Sequence, residues 1–243
     1  MKKIVLSFIV FACVANVSAQ LKVNYYGQVG VGPVNPSYQL HVAGNSYVTG
    51  NILLGSNSTN FFGTNTNVPL TFKVNGVLAG YTSAASTNVS FGYMALNTLT
   101  GTYNVAVGVG VLQKNTSGNR NTANGYYALS NNTTGYFNAA NGHYALFNNT
   151  IGDSNTATGT CALFNNKEGN SNTATGSYAL TSNTTGYNNT ASGCDALYNN
   201  VTGYHNTAIG SSAIFYNSGN YNTAIGSNAL YNNYAGNYNE CKQ

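Results

Sequence analysis

Nine near-identical units fill the chain from Asn88 to Tyr238, opening at Asn88, Asn104, Asn121, Asn138, Asn155, Asn172, Asn189, Asn206 and Asn222. The step is 17 residues, twice shortened to 16, and a partial tenth unit opens at Asn239. A fixed short period means a solenoid, in which each unit is one coil stacked on the last. The consensus is N-T-A-x-G-x-x-A-L-x-x-N-x-T-G-x-x, and its columns are numbered here from the leading Asn.

Position 1 is Asn in every unit, and stacked Asn side chains hydrogen-bond along a solenoid as a ladder. Position 3 is Ala in eight units and Ser90 in the first, which implies a narrow interior. Glycine holds position 5, from Gly92 to Gly226, and closes each unit from Gly101 to Gly236. Glycine takes positive φ without steric cost, so two columns of it predict two bends and two short strands per coil. The expected fold is all-β: a parallel β-roll or β-solenoid of nine 16–17-residue coils. At ~4.8 Å per coil it is about 43 Å long.

Positions 8 and 9 pair an Ala column with an aliphatic one: Leu96, Leu112, Leu129, Leu146, Leu163, Leu180, Leu197, Ile214 and Leu230. Neighbours on a strand point to opposite faces. If both positions lie on a strand, Ala fills the roll and the aliphatics form an outward ladder that needs a partner surface. The alternative is a bend between them that turns both inward. The outward arrangement is the expectation, with the column as the interface of a side-by-side homotrimer.

Residues 1–19 read as a secretory signal peptide: Lys2 and Lys3, an apolar run from Ile4 to Val14, then Val17-Ser18-Ala19 before Gln20. Losing Lys2 and Lys3 takes the formal net charge from +4 to +2. That leaves no electrostatic footprint for nucleic acid or an anionic membrane. No later stretch reaches the ~18 apolar residues of a membrane span. The chain is expected to be secreted or on the cell surface, without membrane insertion. Residues 20–87 lack the repeat. Their short apolar runs between Gly, Asn and Pro predict a β-rich N-terminal cap or fibre neck ahead of the repeat domain at 88–243.

Only 5% of residues are charged, and the four acids Asp153, Glu168, Asp195 and Glu240 are scattered. His41, His143 and His205 share no column, and neither do Cys161, Cys194 and Cys241. Cys161 and Cys194 lie two coils apart, ~10 Å along the axis, beyond the ~7 Å between Cα atoms that a disulfide tolerates. No catalytic constellation, metal site or cofactor is expected. Tyrosines near the bends, with neighbouring Asn, make recognition surface through apolar area and a polar tip. Tyr126, Tyr136, Tyr187 and Tyr204 are the candidate ligand surface; the alternative is that these rings cover the turns.

The N-T-A-x-G-x-x-A-L unit resembles the head repeat of trimeric autotransporter adhesins of the YadA-like type. The stretch GVGPVNPSYQLHVAG resembles the opening of secreted bacterial fibre proteins and phage tail-fibre-like proteins. The resemblance implies a left-handed roll per chain, three chains side by side, and binding to host or environmental protein or glycan. The unit is longer than the usual head repeat, and no heptad stalk or membrane-anchor strands follow it. The expected function is that of a non-enzymatic adhesin-like fibre head. The alternatives are a structural fibre subunit or spacer, and ice or crystal-surface binding through Thr156, Thr158, Thr173, Thr175, Thr190 and Ser192.

Overall fold

The structure is a computed structural model that describes residues 70–82, 87–97, 101–234 and 236–242, together with the backbone of three short strands nearer the N-terminus. The expected signal peptide at 1–19 and most of 20–69 lie outside the described residues. The chain divides into two compact units, Met1–Phe61 and Phe62–Gln243. In the first, β1 (Leu21–Val23) pairs antiparallel with β2 (Val29–Val31), which pairs parallel with β3 (Leu40–Val42).

The second unit is a parallel β-solenoid of about nine turns, with no helix among the described residues. Positions 2 to 4 of each coil form a three-residue strand, ten in all from Val89–Phe91 to Glu240–Lys242. They pair parallel and in register, so Thr156, Ala157 and Thr158 sit opposite Thr173, Ala174 and Thr175. Each is exposed, buried, exposed from Val89–Phe91 to Thr190–Ser192, with Ala or Ser90 pointing inward. A hairpin continues this sheet to twelve strands. Its arms, β4 (Leu70–Val74) and β5 (Val77–Thr82), are antiparallel, and β5 pairs antiparallel with the first coil strand. Asn75 and Gly76 turn it with φ of 48° and 76°, the conformation that an Asn-Gly hairpin turn takes.

The far side of each coil is mostly turns. A second sheet exists there only in three late coils, at Asn199–Asn200, Tyr216–Asn217 and Asn232–Asn233. The two glycine columns explain why. Glycine at position 5 has φ from 124° to 141°, and an added Cβ would strike the next coil's glycine carbonyl. The closing glycine at position 15 has no positive φ, contrary to the sequence expectation. It is required for space: its Cβ would meet the position-12 Asn side chain. The positive φ is carried by ordinary residues instead, at positions 7, 9 and 17.

Position 9 overturns the expected subunit interface. Leu96, Leu112, Leu129, Leu146, Leu163, Leu180, Leu197 and Ile214 are 0% exposed within the single chain, and Leu230 is partly buried against the same core. Their φ of 45–52° folds each side chain back into its own coil beside the buried position-8 residue. The strand alternation rule does not apply, because positions 8 and 9 sit in a turn. A left-handed residue costs roughly 1–2 kcal/mol, whereas burying a Leu contributes about 1.5–3, so the inward turn wins.

Polar ladders hold the rest. Asn172 illustrates position 1: its Oδ1 accepts from the backbone N–H of Asn189 at 3.0 Å, and its Nδ2 donates to Gly186 O at 2.7 Å. Position 12 forms a second ladder that sequence reading did not single out. Asn183 Nδ2 donates to Asn166 Oδ1 at 2.7 Å and to Gly186 O at 3.0 Å. One glycine carbonyl thus joins both ladders in each coil from the second to the ninth, from Gly118 to Gly236.

Two outcomes are expected. Leu163→Ala should lose about 2–5 kcal/mol in denaturant unfolding, independent of protein concentration, because the cavity opens inside one chain. Ser90 Oγ is the one buried side-chain polar atom without a hydrogen-bond partner among the described residues. Ser90→Ala should therefore raise the unfolding free energy by about 1 kcal/mol in denaturant titration.

Candidate functional surface

With the aliphatic column enclosed, what the solenoid offers is its strand face and its corners. The strand face carries two exposed columns, at positions 2 and 4. At the N-terminal end these are Val89, Phe91, Val105 and Val107, with Phe91 63% exposed. Thr, Ser, Ala and Asn follow through Ser192, then Thr207 and Thr223 beside the exposed Ile209 and Ile225. No charged residue occupies either column from Val89 to Ile225. The face ends at Glu240 and Lys242, which form the single ion pair among the described residues, at 2.6 Å. The threonine rows were noted in the sequence; the apolar blocks at their ends were not. The x-A-x alternation of the strand is the signal that marks both columns as outward-facing.

The structure does not bring the four candidate tyrosines together. Tyr126 lies at position 6, on the bend after the strand, whereas Tyr136, Tyr187 and Tyr204 lie at position 16, on the bend before it. Only Tyr187 and Tyr204 meet, with ring centroids 4.9 Å apart and planes 3° from parallel. Tyr126 stacks on His143 at 5.3 Å and 9°. These rings therefore lie face against face along the axis and present mainly edges to solvent, so they do not form an open stacking platform. Tyr136 stands apart, beside Asp153, whose charge and hydrogen bond, with a little burial, push its hydroxyl pKa up.

Aromatic stacking is nonetheless the corners' own organising interaction. His205, Tyr221 and Tyr238 stack at 5.0 and 4.9 Å in the last column of the unit. Arg120 lies 5.3 Å from the ring centroids of both Tyr103 and Phe137, a cation between two π systems. At position 10, Phe147 stacks on Phe164, and farther along Tyr198, Phe215 and Tyr231 form a second stack. Sequence reading did not identify these ladders, because aromatic residues one period apart declare contact only once the coil register is known.

For covalent or metal chemistry the described residues provide little. Cys161, Cys194 and Cys241 are free thiols, and no group of three His, Cys, Asp or Glu side chains converges among the described residues. No described helix is long and apolar enough to cross a membrane. Cys194 is the exposed thiol, and its Sγ lies 3.4 Å from Asp195 Oδ2. Its pKa is raised by partial burial, then by the hydrogen bond and negative charge of Asp195. Asp195→Asn removes the last two causes, so the thiolate fraction at pH 8 should rise. Iodoacetamide should then alkylate Cys194 faster than in the parent, read by mass spectrometry against Cys161 as the internal reference. No protein-family model, no curated protein and no solved structure matches this chain.

Proposed function

We propose that this chain is a non-enzymatic, exported, adhesin-like fibre head that works as a side-by-side homotrimer and binds host or environmental surfaces by avidity. The observation that carries the reading is the strand face, uncharged over the nine coil strands between Val89 and Ile225 and largely exposed. An exposed apolar block at each end of this uncharged span is the kind of surface that chains cover by self-association. Its hydroxyl-rich centre supplies hydrogen bonds across the same contact. Phe91, Val105, Val107, Ile209 and Ile225 thus take the interface role that the buried Leu column cannot play. Three copies would each contribute corners bearing Tyr187, Tyr204 and Asn side chains, whose weak contacts add through multivalency.

A second reading has its own observation. Thr156, Thr158, Thr173, Thr175, Thr190 and Ser192 are exposed and in strict register, a small two-dimensional hydroxyl array suited to an ordered surface such as ice.

Light scattering on residues 20–243 with reductant present should give a trimer mass. Val107→Asp with Ile209→Asp should give a folded monomer that no longer holds to glycan or matrix arrays. A parent protein that stays monomeric at all concentrations overturns the trimer and leaves a structural spacer as the reading. Thermal hysteresis in the parent would favour the hydroxyl array.

A further inference from the structure

Position 7 is tyrosine in three coils, at Tyr127, Tyr144 and Tyr178, and a carboxylate in one, at Asp195. At position 7, Tyr144 sits in the left-handed conformation, φ 57°, and its ring packs edge-to-face against two stacked rings. These are Phe147 of its own coil, at 5.0 Å and 86°, and Phe164 of the next, at 6.0 Å and 82°. Three coils on, the same pair of stacked rings recurs as Tyr198 and Phe215, 4.9 Å apart and 2° from parallel. The position-7 residue there is Asp195, also at φ 57°. The slot that Tyr144 fills is open, and a notch of about 400 Å³ takes its place, lined by Ser177, Tyr178, Cys194, Asp195, Tyr198 and Phe215.

We propose that this notch binds an aromatic ring that carries an ammonium group, the ring occupying the slot Tyr144 fills in its own coil and the ammonium meeting the Asp195 carboxylate. The faces of Tyr198 and Phe215 cover each other, and Phe215 stacks in turn on Tyr231 at 5.0 Å. The notch therefore meets their edges. Ring edges are the positive end of the aromatic quadrupole, so they attract the face of another ring and repel a bare cation. The cation belongs instead at the Asp195 carboxylate, which has no ion-pair partner among the described residues and accepts the weak Cys194 thiol hydrogen bond. Ring and charge together select an arylalkylamine over either a simple amine or a neutral arene. Tyr178, whose ring centroid is 6.5 Å from that of Tyr198, closes one end.

The molecule also supplies the blocking variant. Asp195→Tyr places a tyrosine where Tyr127, Tyr144 and Tyr178 already stand at φ of 53–57°, so the backbone accepts it and the new ring fills the notch from within. The probe is tyramine, followed by saturation-transfer NMR on the full repeat protein, with circular dichroism to show that each variant is folded. Tyramine should bind the parent saturably and fail to bind Asp195→Tyr. Asp195→Asn should weaken tyramine about tenfold while leaving the neutral ring p-cresol unchanged. Bound tyramine should slow alkylation of Cys194, which lines the notch, and not of Cys161. Absence of saturable binding to the parent, or equal binding by folded Asp195→Tyr, overturns the site. Equal tyramine binding by parent and Asp195→Asn overturns the role of the carboxylate. None of these readouts depends on the oligomeric state, so failure here and failure of the trimer are distinguishable.

Discussion

Everything in the solenoid depends on one buried carbonyl per coil. The closing glycine's oxygen accepts from the carboxamides of both Asn columns, as Gly186 does from Asn172 and Asn183. Each carboxamide is also bonded to the coil before or after it. A buried amide left unpaired costs about 1–3 kcal/mol, so removing one column would leave the other column's partners unsatisfied. The glycine is fixed by the same arrangement, since a side chain there would occupy the space of the amides. A chain with so few aliphatic residues is thereby ordered as much by amide pairing as by apolar burial.

The second constraint is steric. Three non-glycine residues in a typical coil have positive φ, an unusual density for side-chain-bearing residues. These sharp reversals let a 16–17-residue coil close with only one regular strand, and they send Leu inward at position 9. Inward-turned Leu leaves the outer surface to small, hydroxylated and aromatic side chains. Function, whatever its target, is therefore written in positions 2, 4, 6, 7, 10, 16 and 17.

Much of this was legible in the residues. The period gave the coil, Ala at position 3 gave the inward-facing strand residue, and the leading Asn gave one ladder. The position-9 column was misread because two adjacent apolar residues have the same pattern whether a strand carries them back to back or a turn carries them both inward. Only φ separates these cases, and Leu in the left-handed region has no sequence signature. The second Asn ladder stayed hidden because an Asn amid Asn, Thr and Gly looks like loop composition. Of the four tyrosines expected as a ligand surface, only Tyr187 and Tyr204 stack on one another. Columns 6 and 16 lie on different bends of the coil, and one face each of Tyr126, Tyr187 and Tyr204 is taken up by a stacked ring.

The buried amides carry one further consequence, in the chemistry of export. Asn88, Asn115, Asn132, Asn183 and Asn200 each begin an Asn-x-Ser/Thr triplet, the acceptor for N-linked glycans. All five are 0% exposed, and the Nδ2 that would carry a sugar donates to a glycine carbonyl within the coil. Glycan attachment at these residues and closure of their coils exclude one another. A secretory route that decorates nascent chains at such triplets is thus incompatible with this fold. The same solenoid is unaffected by a route that exports the chain without that modification.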